Sequence, residues 1–504
     1  MQHSSALSFR DFVDGLRASG DAVFIEREVD SHLEAAAIAR LAGERRAPAP
    51  VFENVRGAAE GFRLMGVPAG MSSQGNGFSR IAAHFGLHEA SGPYEIVEHL
   101  VAAMHATPKP PVTVETGPVK ENIIRGDEVD LDVFGSPLLH AQDGGRYFGT
   151  YGMHIVATPD GKWTSWSISR LMVNDSTSLV GPAMPMQHLG MIHEQWKALG
   201  KRTPWAFVLG APPAAIAAAG MPLPAEVNED GYIGALTGEA VEVVRTEMHD
   251  LSVPANAEIV VEGWIDPERT AIEGPMGEYH GYQFAEGSPK PVFEVEVITH
   301  RDDPILPFCV AGMPPEENHT IWGTMISASA LDLLRSADLP VSFAWCSYEA
   351  ATCWIAVSID LDELARSPWD EGDLVRKVAD VLFTSHVGWL VPKVLLVGSD
   401  VDITDIDRLV WALATRYRPG TEYVFSDAPG IPLVPYLSAE DRKAGRGGKS
   451  IMSLLQPEQL ATGRTAGIAA EFTTSFPAEL QKSVLENWED YGYPAARGSE
   501  SSIP

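Results

Sequence analysis

The sequence predicts a mixed α/β protein built in succession. A small N-terminal α/β unit covers 1–115, a strand-rich, barrel-like domain 116–315, a linking helix 316–336, and a C-terminal α/β domain with a tail 337–504. Three observations predict this. Pro-Lys-Pro-Pro at 108–111 closes the first region of helices and strands. Short strand patterns then cluster with few helices between them, led by Tyr151–Ala157 and Trp163–Val173 on either side of Thr-Pro-Asp-Gly, a strong hairpin signal. After Pro314-Pro315 strands and helices alternate, the logic of βαβ units in a parallel or mixed sheet.

In the first region Ser8 reads as a helix cap, followed by one apolar face of Phe9, Phe12, Val13 and Leu16. Ala22–Ile25 is a strand pattern and Leu33–Leu41 a helical one. A turn at 46–50 leads into a strand at Val51–Phe52, and a helix runs around Tyr94–His105. In the second region the strand patterns continue at Ala206–Leu209, Glu258–Trp264, Val292–Ile298 and Ile305–Val310. Leu189, Ile192, Trp196 and Leu199 repeat at helical spacing. Glu229 is expected in a loop before a small-residue strand, Ile233-Gly-Ala-Leu. A helix from about His319 to Ser336 leads to the third region. There Cys353–Ile359 and Val391–Val397 read as strands, and Leu374–Ser385 and Ile406–Ala414 as helices, the last capped by Thr404. The tail, with Trp488 and Tyr491, is expected to dock on a neighbouring surface.

The 504 residues carry 37 basic and 68 acidic side chains, a net charge of -31. Such a chain is a poor ligand for nucleic-acid phosphates, and an anionic substrate needs a local positive group to enter. Three cysteines (Cys309, Cys346, Cys353) are too few and too badly spaced for a disulfide framework or a four-thiolate zinc site. The N-terminus lacks a signal pattern and no apolar run approaches a membrane span, so a soluble cytoplasmic protein is expected.

Glu273-Gly-Pro-Met-Gly-Glu278 puts two carboxylates on a loop shaped by Gly and Pro, able to aim both at one spot or simply to turn at the surface. Arg170 ends Trp163-Thr-Ser-Trp-Ser-Ile-Ser-Arg170 and is either the partner of such a loop or an ordinary strand arginine. Gln187 and His188 open a helix, where an anion or a metal is favoured and where a capping histidine is equally at home. Gly445-Arg-Gly-Gly-Lys-Ser450 fails the phosphate-loop spacing, because Lys443 holds the first glycine position. Neither a Gly-x-Gly-x-x-Gly fingerprint nor a Gly-x-Ser-x-Gly elbow occurs. A metal hydrolase built on His188 and Glu229 lacks a compact ligand set.

Taken in order, Thr164-Ser-Trp-Ser-Ile-Ser-Arg170, Met186-Gln-His188, Asn228-Glu-Asp-Gly-Tyr-Ile-Gly-Ala235, Glu273-Gly-Pro-Met-Gly-Glu-Tyr-His-Gly281 and Val391-Pro-Lys393 resemble the UbiD family of prenylated-FMN-dependent decarboxylases. The resemblance runs over nearly the whole chain. It implies a split β-barrel for the flavin and a C-terminal domain used in oligomerisation, here a homodimer. It also implies dependence on a separate prenyl-flavin-synthesising enzyme. By resemblance, the flavin and its phosphate are bound by Ser165, Trp166, Ser167, Ile168, Ser169, Arg170, Gln187, His188, Glu229 and Lys393. A Mn2+ or Mg2+ ion is held in the family by Asn, His and Glu. His188 and Glu229 match, while Ser165 stands at the Asn position with a shorter, weaker ligand. Trp166, Ala218, Ala219 and Met221 lie where K+ sits on backbone carbonyls.

The family's catalytic Glu-Arg-Glu network maps onto Glu273, Arg170 and Glu278, with Glu278 as the acid that returns a proton after CO2 leaves. Within the family the chain resembles the bacterial members acting on pyrrole-type acids. Asn318, His319 and Thr320 then line the substrate, with Asn318 and Thr320 able to bond a ring N–H, or Asn318 merely to cap a helix. Ile431, with Leu433 nearby, stands where cinnamate-type members have Phe, which makes room for a bicyclic ring. The expected substrate is a small aromatic acid, indole-3-carboxylate or pyrrole-2-carboxylate, with cinnamic or ferulic acids second. A non-catalytic flavin-binding protein is the alternative of another class.

Overall fold

The computed structural model describes residues 5–283, 286–430, 434–465, 467 and 469–493. The chain forms two compact units. One consists of the chain up to Ser73, Phe78–Ala328 and Tyr348–Ala351. The other consists of Gln74–Gly77, Ser329–Ser347 and the chain from Thr352 onward.

In the first unit, the helix Phe9–Ser19 is capped by Ser8, whose hydroxyl accepts from the Asp11 backbone N–H. It buries Phe9, Phe12, Val13 and Leu16 against Ala49, Val51, Met65 and Ile305. Those partners lie on a four-stranded sheet ordered Ala22–Ile25, Ala49–Phe52, Arg63–Gly66 and Ile305–Phe308. The main element is a nine-stranded sheet. Its path runs Thr164–Ser167, Gly152–Ala157, Thr203–Leu209, Ile259–Glu273, Ser288–His300, Ser178–Val180, Leu171–Asp175 and Tyr147–Gly149, with Asn122–Arg125 also paired to Ser288–His300.

The predicted hairpin forms: Thr164 pairs Ala157 and Ser167 pairs His154. The predicted strand Trp163–Val173 instead breaks at 168–170, and its two pieces fall near opposite ends of the sheet. Six strand spacings of a flat sheet cover about 29 Å. The chain from Ser167 to Leu171 reaches roughly 14 Å at full extension. The sheet therefore has to curl, and residues 168–170 bridge the mouth of the resulting half-barrel.

The long strand Ile259–Glu273 bends where its register against Ser288–His300 shifts between Glu262 and Gly263. A side chain on Gly263 would meet the Glu294 carbonyl at 1.9 Å, so only glycine lets the two backbones approach there. Trp205, Phe207, Phe148, Phe134 and Phe293 are buried together in the unit's main apolar core. One expectation fails nearby. Asp230–Thr237 is a helix rather than a loop followed by a strand, because its small residues pack as a buried helix with Glu229 at its N-cap.

In the second unit a mixed sheet runs Val341–Cys346, Trp354–Ile359, Lys393–Gly398, Arg446–Ser453 and Tyr423–Pro429. Its three central strands are parallel and its outer two antiparallel. The helix Ile406–Arg416 is capped by Asp405, which accepts from the Asp407 and Arg408 N–H groups, not by Thr404. Aspartate one residue closer reaches the orphan donors. In the tail, Trp488 stacks on Tyr493 at 4.2 Å, and Tyr491 is exposed. Among the described residues no helix is long and apolar enough to cross a membrane.

Candidate active site

Glu273 ends the strand Ile259–Glu273, opposite Ser288 in register. The chain then leaves the sheet through Gly274, at φ 80°, and Pro275. Arg170 comes from the 168–170 bridge. Its Nε donates to Glu273 Oε1 at 2.8 Å and its Nη2 to Glu273 Oε2 at 3.2 Å, a two-point contact that fixes both planes. Its Nη1 lies 3.2 Å from Glu278 Oε1. Curling the sheet is thus what brings the predicted Glu-Arg-Glu set together.

Tyr147, which sequence reasoning missed, donates its hydroxyl to Glu273 Oε1 at 2.8 Å. Burial first, and then the Glu273 charge, hold that phenol protonated well above its ordinary range. Burial also dominates at Glu278 and, with the Glu273 charge, raises its carboxyl above the ordinary value, although Arg170 pulls the other way. Burial works against charge on Arg170, but Glu278 and Glu273 outweigh it and raise its pKa. One guanidinium faces two carboxylates, so a proton on Glu278 leaves the trio balanced.

Beneath the loop, Gly144 donates its N–H to the Pro275 carbonyl at 2.8 Å. A side chain at Gly144 would meet the Gly274 carbonyl oxygen at 2.0 Å. Gln283 and His140 both bond the Asp143 carboxylate, which anchors the far side of the turn. Nothing in the local sequence signals Asp143 or Gly144, because Gly144 acts on Gly274, 130 residues away, and Asp143 on Gln283, 140 residues away.

The same 165–170 segment carries a second cluster. Glu229, 1% exposed, accepts from the Trp166 backbone N–H at 2.9 Å. Ser165 Oγ and His188 Nδ1 both reach its Oε1, at 3.3 and 2.8 Å. The Trp163 ring meets the His188 imidazole edge-on at 4.9 Å. His188 is the first residue of the helix His188–Ala198, whose N-cap is Gln187, so free backbone N–H groups flank this cluster. Trp166 Nε1 and Ser167 Oγ are buried with no partner among the described residues, and Ile168 is an exposed apolar side chain. Ser169 donates to the Pro182 carbonyl at 2.9 Å. Ala218 and Ala219 end the buried helix Pro213–Ala219, and Met221 N bonds back to the Ala218 carbonyl.

Of the five residues expected at the substrate, three are described: Asn318 is partly exposed, while His319 and Thr320 are fully buried. They occupy a turn of π-helix, Asn318–Trp322. Thr320 donates its hydroxyl to the Ala69 carbonyl at 2.7 Å, and His319 Nε2 bonds the Tyr279 carbonyl at 2.6 Å, directly beside Glu278. The preceding acids were not anticipated. Glu316 and Glu317 are buried, and burial pushes their carboxyls up to about 7 and about 8, with the Glu316 charge adding to the effect at Glu317. With Cys309 they form a compact group whose ligand atoms all lie within 4.8 Å of one another.

Lys393 belongs to the second unit, at the start of Lys393–Gly398, with its ammonium 4.9 Å from the centre of the Tyr436 ring. Ile431 and Leu433 lie outside the described residues.

Three family models cover most of the chain. They describe the N-terminal, Rift-related and C-terminal domains of 3-octaprenyl-4-hydroxybenzoate carboxy-lyase, at residues 13–104, 111–314 and 319–453. The chain belongs to the UbiD family of carboxy-lyases. It is 56% identical to the pyrrole-2-carboxylic acid decarboxylase of Pseudomonas aeruginosa, over 97% of this chain and 99% of that one. It is 38% identical to ferulic acid decarboxylase 1 of Saccharomyces cerevisiae, over 97% and 99%. Among solved structures it is similar to the UbiD-class enzyme HmfF of Pelotomaculum thermopropionicum in complex with FMN, with TM-score 0.79, 28% identity and coverage of 94% and 99%. An evolved dimeric form of HmfF in complex with prFMN matches with TM-score 0.76 at 26% identity, over 94% and 99%. UbiD-family membership agrees with the half-barrel and with the fold class expected from the sequence.

Proposed function

We propose that this UbiD-family protein is a reversible, non-oxidative decarboxylase of heteroaromatic acids, pyrrole-2-carboxylate or indole-3-carboxylate, that works with prenylated FMN. The observation that carries the reading is Arg170, bonded at two points to Glu273 while it faces Glu278. When bound, the prenylated flavin supplies the electron sink that no side chain offers to the carbon losing CO2. The chain supplies the rest. Arg170 is the positive group that admits a carboxylate to an acidic protein. Glu278, its proton favoured by burial, returns a proton to the same carbon. Glu273 and Tyr147 keep Arg170 in place.

At the other end of the segment, Ser165, His188 and Glu229 would hold Mn2+ or Mg2+. Imidazole, carboxylate and hydroxyl converging within hydrogen-bond distance of one oxygen are a fitting donor set for such an ion. Ser167 and Trp166, buried without partners, and the helix N-terminus at Gln187 and His188 serve the flavin and its phosphate. Backbone carbonyls of Trp166, Ala218, Ala219 and Met221 would hold K+. The protein acts in the cytoplasm as a homodimer and receives its cofactor from a separate prenyl-flavin-synthesising enzyme.

Cinnamic or ferulic acids are the second reading, supported by the 38% likeness to a ferulic acid decarboxylase. The test is CO2 release by protein co-produced with a prenyl-flavin-making enzyme, across pyrrole, indole, furan and cinnamic acids. Turnover of pyrrole or indole acids, together with a modified flavin by mass spectrometry, is expected. Preferred turnover of cinnamic acids favours the second reading. Turnover without any modified flavin, or none of any acid, overturns the proposal.

A further inference from the structure

We propose that Glu316 is a positioning residue: it fixes the Asn318 side-chain amide with its oxygen outward, and so makes the site select ring N–H acids over ring-oxygen acids. The inference rests on the substrate reading above and names the device behind it. Glu316 Oε2 accepts from the Asn318 backbone N–H and from its Nδ2, both at 3.0 Å, and Oε1 accepts from Nδ2 at 3.1 Å. The oxygen and nitrogen of an amide have nearly the same shape, so the partner decides which way the group faces. A carboxyl on one edge demands the NH2 there. Asn318 Oδ1 then has no partner among the described residues, and it is an acceptor. A pyrrole or indole N–H is the donor it suits, whereas a furan oxygen meets it lone pair to lone pair.

Glu316 is itself immobilised. It is 6% exposed, and its backbone N–H donates to His319 Nδ1 at 2.9 Å. That makes Nδ1 an acceptor and puts the ring proton on Nε2, which donates to the Tyr279 carbonyl. Burial lowers His319 to about 4, so the ring is neutral and its contact with Glu316 Oε1 at 3.2 Å is not an ion pair. With a proton on Oε1, Glu316 still offers Oε2 to the Asn318 backbone N–H and Nδ2. The amide keeps its orientation in either protonation state. Through Tyr279 the same chain of bonds ends one residue from Glu278, which links the substrate's ring nitrogen to the proton donor.

The experiment is the ratio of kcat/KM for pyrrole-2-carboxylate over furan-2-carboxylate, measured on holoenzyme, with melting temperatures taken in parallel. Glu316→Leu removes the acceptors, and Glu316→Asp keeps the charge but loses the reach. Both are expected to lower the ratio at least about tenfold, roughly one bond's discrimination. Glu316→Gln still offers one carbonyl oxygen and should stay within about threefold of the parent. An unchanged ratio in whichever of the first two melts like the parent overturns the proposal, as does a Gln variant that loses as much as Leu. A crystal structure of parent holoenzyme with pyrrole-2-carboxylate tests it without a variant. Asn318 Oδ1 on the ring N–H, with Glu316 on Nδ2, is expected, and the reverse amide sinks it. Parent enzyme with no turnover of pyrrole-2-carboxylate counts against the substrate reading instead.

Discussion

At Glu278 burial and charge pull in opposite directions, and burial prevails. Glu278→Gln is expected to lower kcat by about 10²–10⁴, the usual worth of a positioned acid, while flavin remains bound by absorbance. A carboxyl raised above its ordinary value donates only while it is protonated. Turnover should therefore decline on the basic side of Glu278's titration, and Glu278→Gln should abolish that limb. Glu317 makes a separate prediction about stability. Its folded value of about 8 lies above the ordinary 4.5, so the folded state holds more protons between those pH values and stability falls as pH rises across that window. Glu317→Gln should match the parent's melting temperature near pH 5 and exceed it by several degrees near pH 8, because the buried charge costs a few kcal/mol there. Arg170, Glu273 and Glu278 were legible as a set only through the resemblance to the UbiD family, because each motif alone reads equally as a surface turn or an ordinary strand arginine. Tyr147 and Asp143 were not, since a tyrosine in a strand and an aspartate in a turn reveal their partners only when distant segments meet.

Among the elements, the 168–170 bridge decides the most. As a run of alternating residues it reads as one strand, and the break exists only because the sheet closes on itself. The helix Asp230–Thr237 was misread for a related reason: a short apolar run such as Ile233-Gly-Ala-Leu has no periodicity that tells a strand from a buried helix, and only packing separates the two. The hairpin at Thr-Pro-Asp-Gly and the helix cap at Ser8 were legible because their signals are local. The loop 274–278 rests on Gly144, and Gly144→Ala is expected to displace it. We expect a loss of about 1–3 kcal/mol in a denaturant melt, the usual cost of overpacking. Turnover should fall at least about tenfold, as a misplaced acid implies, with flavin content unchanged.

For the molecule as a whole, the net charge of -31 opposes the approach of any carboxylate. Salt screens that field, so kcat/KM for an anionic acid should rise, by about twofold, between roughly 0.02 and 0.2 M ionic strength. A site steered by attraction would show the opposite slope. The register pair Glu273 and Ser288 has a consequence at this scale too. The chain between them departs from and rejoins the sheet at one rung, while Glu273 ends a strand of the half-barrel and Arg170 stays on the 168–170 bridge across its mouth. That stretch can therefore be exchanged like a cartridge, by descent or by graft. The proton donor travels with the insert, and the arginine that governs it stays with the frame.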